Sequence, residues 1–431
     1  MKYYSTNNKN NKVTFREAIL RGLANDKGLF MPERIPLLSN GILDNLEKLS
    51  FQEIAIEVSK YFIENEIPVN DLIDIIDASI SFQAPVKNLS NKLNILELFH
   101  GPTLAFKDFG ARFMARTMEY FLKDSNREMT ILVATSGDTG SAVANGFLNV
   151  NGINVIVLFP SGKISKIQEK QITTLGNNIT AVEIEGTFDD CQSLVKTAFV
   201  DEELNSKLNL SSANSINIGR LIPQTFYYFE SFKQLEYEKK VVYSVPSGNL
   251  GNLTAGLFAK KMGLPINKII AATNSNDVFT KYINSSKYEP RSSKITISNA
   301  MDVGAPSNID RIIDLYEDNH SIISDVIYSR SYSYKKTLIK ISELKEQYNY
   351  IIDPHGAVGS LALEDYQSEV EPDCIGVVLE TAHPAKFLDV YEKHLNFEPE
   401  IPERLSISLD KKGSTIKISN NYYEFKEILQ K

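Results

Sequence analysis

The chain has 431 residues, 42% hydrophobic and 23% charged, the balance of an ordinary folded enzyme and not of a disordered tail. Its formal net charge of −8 argues against broad attraction to nucleic acid or anionic lipid. The two cysteines, Cys191 and Cys374, are too few for a disulfide framework, and the five histidines lack zinc-ligand spacing, so the reading includes no metal.

Taken in chain order, the polar start lacks the apolar core of a secretory signal, and no apolar run is long enough to span a bilayer. The expectation is a cytoplasmic protein with no membrane partner. Ser5–Lys12 reads as a frayed loop. Residues from about 13 to 85 read as helical, with apolar helix spacing in Phe15–Leu23 and Phe51–Phe62 and turn signals at Gly28 and Pro32. From about Leu93 the pattern changes to short β-rich runs, each followed by small polar residues and then a helical stretch. These runs are Thr130–Ala134, Ile153–Phe159, Val241–Val245, Ile269–Thr273 and Ile375–Leu379. Apolar strands alternating with helices predict an α/β fold with mostly parallel sheets covered on both faces. The expected organisation is a helical N-terminal domain over 1–90 and an α/β domain over 91–431, with a smaller lobe at about 110–225. Past residue 400, Ser406–Leu409 and Ser414–Ile418 read as a β-hairpin or flap.

Ligands in such sheets sit beyond the carboxyl ends of the strands, so the turns there carry the chemistry. After Val245 the sequence runs Pro246-Ser247-Gly248-Asn249-Leu250-Gly251-Asn252 into a helix. Free N–H groups of this loop and of the helix N-terminus make a cradle for a phosphate, though the same turn also serves as a plain strand-to-helix connection. It is neither a Walker loop nor a dinucleotide GxGxxG. After Ala134, the turn Thr135-Ser136-Gly137-Asp138-Thr139-Gly140-Ser141 offers hydroxyls and N–H groups to a carboxylate or phosphate, or simply caps a helix. Lys107 lies between Phe106 and Phe109. A lysine drawn out of water there loses its charge and becomes a nucleophilic amine; a packed stem with a solvated head is the competing reading.

These residues carry a resemblance. The segment LFHGPTLAFKDFG at 98–110 is joined, in order along the chain, by Gly28-Leu29-Phe30 before it and six motifs after it. Those six are TSGDTGSA at 135–142, SGKIS at 161–165, SANSINIGR at 212–220, PSGNLGN at 246–252, SNAMDVGAPSN at 298–308 and TAHPAKF at 381–387. Together they resemble the threonine synthase family, pyridoxal-phosphate enzymes of the tryptophan synthase β-like fold. The resemblance implies mostly parallel sheets in two lobes plus a helical N-terminal unit. It implies Lys107 as covalent anchor of pyridoxal 5'-phosphate and as the catalytic base. Gly248, Asn249, Leu250, Gly251 and Asn252 would hold the cofactor phosphate, Thr381 would face the pyridine nitrogen, and Phe106 and Asp138 would lie near the ring. Thr135, Ser136, Thr139, Lys163, Asn214, Ser215 and Arg220 would bind the substrate, O-phospho-L-homoserine, which is converted with water to L-threonine and phosphate. The implied assembly is a monomer or homodimer. A related dehydratase or phospho-lyase acting on hydroxy or phosphorylated amino acids would share Lys107 and the glycine loop. Two departures stand out: the loop reads GNLGN where relatives commonly show GNFGD, and Asp138 stands where many relatives carry Asn.

Overall fold

Strands that are apolar at every position have no face to offer water, and this chain places them inside parallel sheets. The computed structural model describes residues 1–123, 125, 128–235 and 239–430. A small antiparallel sheet comes first, from β1 (Tyr3–Ser5), β2 (Asn8–Val13) and β3 (Phe30–Pro32) in the order β2-β1-β3. Strands β4 (Val86–Ser90) and β5 (Leu93–Glu97) open a second sheet. A third is built from β6 (Met129–Ala134), β7 (Ile153–Pro160), β8 (Ile179–Glu185) and β9 (Leu210–Ser212). The chain then returns to the second sheet with β10 (Val241–Pro246), β11 (Ile266–Thr273), β12 (Ile327–Ser331) and β13 (Ile375–Glu380). Finally, β14 (Ile416–Ser419) joins the third.

The second sheet has the order β12-β11-β10-β13-β5-β4 and is parallel except for β4. The third, β14-β8-β7-β6-β9, is parallel throughout. Strands β6, β10 and β13 are buried along their whole length, as their unbroken apolar sequences require. Helices cover both sheets, giving the mixed α/β architecture that the sequence predicts. Among the described residues no helix is long and apolar enough to cross a membrane.

The five expected strands all form, within a few residues of their predicted bounds. The first region is more mixed than its periodicity suggests. Helices Phe15–Arg21 and Phe51–Ile63 are present, each started by a capping box, Thr14 with Glu17 and Ser50 with Glu53. Ser5–Lys12, expected to fray, instead contributes to β1 and β2. Strand β2 is polar and almost wholly exposed, so it leaves no apolar alternation to read; backbone pairing and the bond from Ser5 to Asp26 (2.6 Å) hold it.

The C-terminal expectation is also corrected. Glu403–Asp410 is a helix, not a strand, with Leu405 buried against Leu104, Ile167 and Ala385 and Leu409 packed on the same cluster. Those leucines are four apart, the spacing of one helix face. Strand β14 pairs in parallel with β8 and forms no hairpin.

Candidate active site

The turns after β5, β6, β9, β10 and β13 leave the carboxyl ends of parallel strands, where the two sheets bring them together. The segment after β5 is pinned first. The Phe106 N–H donates to the Thr381 carbonyl (2.9 Å) and the His383 N–H to the Leu104 carbonyl (3.0 Å), tying the lysine segment to the turn after β13. Buried Asp108 closes the loop from inside, accepting from the Thr103 N–H (2.8 Å) and hydroxyl (2.6 Å). Lys107 then begins the helix Lys107–Leu122. That helix is anchored by Phe109, whose ring meets Phe51, Phe82 and Tyr227.

The Lys107 Nζ lies 4.6 Å from the centroid of the Phe106 ring and 3.7 Å from Asp138 Oδ2. Burial draws its ammonium below the ordinary lysine range; Asp138 opposes this, while the cations of Lys386 and Arg220 add to it. Asp138 is the first residue of helix Asp138–Gly146 after β6. Its Oδ1 accepts from Lys386 Nζ (2.8 Å) and Gln168 Nε2 (2.9 Å). Burial alone would raise its carboxyl, but Lys386 first and Lys107 second hold it well below the usual carboxylate range. Gly137 precedes it at φ 131°, a conformation that suits glycine, and a Cβ there would run into Gln168.

The glycine loop leads from β10 into a helix. Leu250 is left-handed (φ 63°, ψ 10°) and caps helix Gly251–Lys261. Among the described residues no protein acceptor takes the N–H groups of Gly248 through Asn252, and they sit at a helix N-terminus. The side chains brace this loop from behind. Asn252 Nδ2 donates to the Pro246 carbonyl (3.0 Å), Asn249 Nδ2 to the Ser215 hydroxyl (2.5 Å), and Asn249 Oδ1 accepts from the Ser307 N–H (2.5 Å). A buried leucine in the left-handed region stores about 1 kcal/mol or more, a form of strain that collects at functional loops. Leu104, in the lysine segment, is the second such leucine (φ 59°).

The remaining candidates close the space between these loops. Asn214 Nδ2 donates to the Ala134 carbonyl (3.1 Å), setting the turn after β9 against the turn after β6. Thr135 accepts from the N–H groups of Gly137 (2.9 Å) and Gly140 (2.8 Å), and Ser136 and Thr139 stand half-buried on that same turn. Arg220 is buried. Its Nη1 donates to the Ala213 carbonyl (2.5 Å), its Nε faces Gly110 without a partner, and no carboxylate bonds it among the described residues. A Cβ on Gly110 would lie 2.9 Å from that Nε, so glycine is what allows helix and guanidinium to approach. Burial lowers the Arg220 pKa to about 10. Thr381 is buried beside the Phe106 amide. Lys163 stands apart, exposed on the turn after β7, where its charge acts on Asp190 and Cys191.

Three residues of this arrangement have no role assigned from sequence. Lys386 and Gln168 bind Asp138, and Arg311, wholly buried, donates to the carbonyls of Phe30, Ser215 and Ile216. Lys386 lies inside the TAHPAKF motif, which was its only signal. His383 is a helix cap, its Nδ1 accepting from the Ala385 N–H (3.1 Å), and burial lowers its pKa to about 4.

A largely buried lysine and a separate row of main-chain N–H groups at a helix N-terminus, both on loops that leave parallel strands, are the equipment of a pyridoxal-phosphate enzyme, and the family model described as "Pyridoxal-phosphate dependent enzyme" matches residues 83–380. The flanking regions match "Threonine synthase N terminus" at 2–80 and "Threonine synthase, C-terminal" at 356–428. The chain is 44% identical over 412 residues to threonine synthase of Escherichia coli (strain K12), covering 95% of each, and 39% identical to that of Saccharomyces cerevisiae, covering 98% of this chain and 95% of the relative. The crystal structure of the E. coli enzyme superposes with a TM-score of 0.93 at 42% identity over 100% of this chain and 99% of that one. A structure titled as PLP-bound threonine synthase from Brucella melitensis matches with a TM-score of 0.93 at 34% identity over the same shares. Maize serine racemase, at 16% identity and a TM-score of 0.55, shares the fold alone. The chain belongs to the threonine synthase family.

Proposed function

We propose that this chain converts O-phospho-L-homoserine and water to L-threonine and phosphate, with pyridoxal phosphate carried on Lys107. The observation that supports this best is that loops leaving parallel strands carry a largely buried amine and two separate candidate anion seats, the main-chain N–H groups at 248–252 and the set formed by the 135–140 turn with Arg220. The first suits the cofactor phosphate. The second leaves a buried cation and several hydroxyls for a substrate that brings both a carboxylate and its own phosphate. When bound, the cofactor supplies an electron sink that makes the carbon-bound protons of the substrate acidic.

This chain's residues do the rest. Gly248 to Asn252 donate main-chain N–H groups to the cofactor phosphate, and Thr381 offers its hydroxyl to the ring nitrogen. Arg220 holds the substrate phosphate, and Thr135, Ser136, Thr139, Asn214 and Ser215 orient the carboxylate end. Lys107 Nζ, once released from its covalent role, takes the α-proton and then a β-proton and returns protons to carbon as the product forms. Burial shifts the Lys107 amine toward its unprotonated form, which suits that task, because a base must be unprotonated to accept. One side chain serving as both anchor and base explains why the histidines are left to capping and structural bonds. The buried surround also keeps water from entering before phosphate has left.

The test is to incubate purified protein and pyridoxal phosphate with O-phospho-L-homoserine and follow both products. Phosphate and threonine in equal amounts are expected. Phosphate with 2-oxobutanoate, or no phosphate, would overturn the proposal.

A further inference from the structure

A lysine with no exposure to water is uncommon, and Lys386 is one. It sits in the turn Pro384–Phe387 after β13. Its Nζ donates to Asp138 Oδ1 at 2.8 Å and to the Thr103 carbonyl at 2.8 Å, so it touches both the Asp138 turn and the loop that carries Lys107. Asp138 therefore has two cations. Lys386, helped by Gln168, takes Oδ1 at hydrogen-bond distance, while Lys107 faces Oδ2 at the looser distance of 3.7 Å.

We propose that Lys386 is a positioning residue for Lys107: by serving as the resident counter-ion of Asp138, it leaves Lys107 free to be an amine instead of the ammonium partner of that carboxylate. The idea rests on the reading of Lys107 as anchor and base. It also accounts for the acid at position 138. A carboxylate beside a working amine would ordinarily hold that amine protonated. A second lysine, locked in place and out of reach of solvent, cancels the charge and lets the carboxylate stay as a fixed acceptor.

The other charged groups around Lys107 do not do this. Arg220 reaches it from the short helix Ile218–Leu221 that follows β9 and Asp353 from the cap of helix Pro354–Glu369, both acting at a distance without a bond to Asp138. Around Lys386 itself stand Asp108, committed to Thr103, and His383, whose ring caps the turn.

The experiment is trace acetylation of the full-length chain, stripped of cofactor, over a pH series, with modification at Lys107 quantified by peptide mass spectrometry. Lys386→Met should shift the Lys107 midpoint upward by about one pH unit, an about tenfold loss of reactive amine at any pH below it. Lys386→Arg should hold the midpoint near the wild-type value. Asp138→Asn should shift it downward, because two cations then face each other with no carboxylate between them. A residue that merely supports the fold would not move these two variants in opposite directions. A Lys386→Met midpoint that is unchanged or lower would overturn the proposal; if that variant does not fold, an Asp138→Asn midpoint that fails to drop does so. Borohydride reduction of the wild-type chain with pyridoxal phosphate runs alongside. Failure to attach the cofactor at Lys107 would sink the anchor reading while leaving the acetylation midpoints to decide the role of Lys386.

Discussion

The two regions proposed to hold anions are built on opposite principles. The cradle at Gly248–Asn252 offers main-chain N–H groups, and its side chains point away to bind Pro246, Ser215 and the 307–308 turn. The cluster of Lys107, Asp138, Lys386 and Arg220 gathers side-chain charge, buried in all but Lys107, which is largely buried. A backbone site tolerates side-chain change as long as the loop keeps its shape, so Leu250 and Asn252 can depart from the family's usual residues. A side-chain site does not, because removing one member leaves another charge buried and unpaired.

That contrast orders the expected effects. Lys107→Ala removes the amine itself, and turnover measured as threonine formation should fall below detection. Asp138→Asn strands Lys386 in the interior and should cost about 3 kcal/mol of stability at neutral pH, read by denaturant unfolding. The sign of its pH dependence follows from the depressed Asp138 carboxyl. The stabilisation is fully present above the unfolded-state value of about 4 and is lost as pH falls through the lower folded-state value, so the gap between wild type and variant should close in acid. Arg220→Ala should weaken substrate phosphate binding by about 2 kcal/mol, seen as a roughly thirtyfold rise in KM for O-phospho-L-homoserine. Asn252→Ala removes the bond to the Pro246 carbonyl and the acceptor of the Leu253 N–H, and should weaken cofactor binding by about 1 kcal/mol, or about fivefold, in a fluorescence titration. An Asn252 effect as large as that of Arg220 would break the comparison.

What could be read in the sequence follows the range of the interactions. Strands β6, β7, β10, β11 and β13 are legible because burial on both faces writes an unbroken apolar run. Strand β2 is not, since a polar edge strand is specified by its partner's backbone. Nor is the parallel addition of β14 to β8, which joins the end of the chain to its middle, and the helix at Glu403–Asp410 reads as a strand in sequence because Ser406–Leu409 is a short run of alternating apolar residues. The glycine loop and the lysine segment could be read because each is a local turn with its own chemistry. Lys386 could not be placed, because its bond to Thr103 spans 283 positions and its partner Asp138 lies in a different sheet's turn. Arg311 is not legible for the same reason: its acceptors Phe30 and Ser215 come from two remote segments.

The central claim is that a single amine among all the lysines of this chain carries the cofactor. Reduction of the pyridoxal-phosphate-loaded protein with borohydride, followed by peptide mapping, reads it directly. One pyridoxyl-phosphate group on the peptide containing Lys107, absent when phosphate in excess occupies the Gly248–Asn252 cradle first, is the expected result. Label on another lysine, or spread over many, would contradict it.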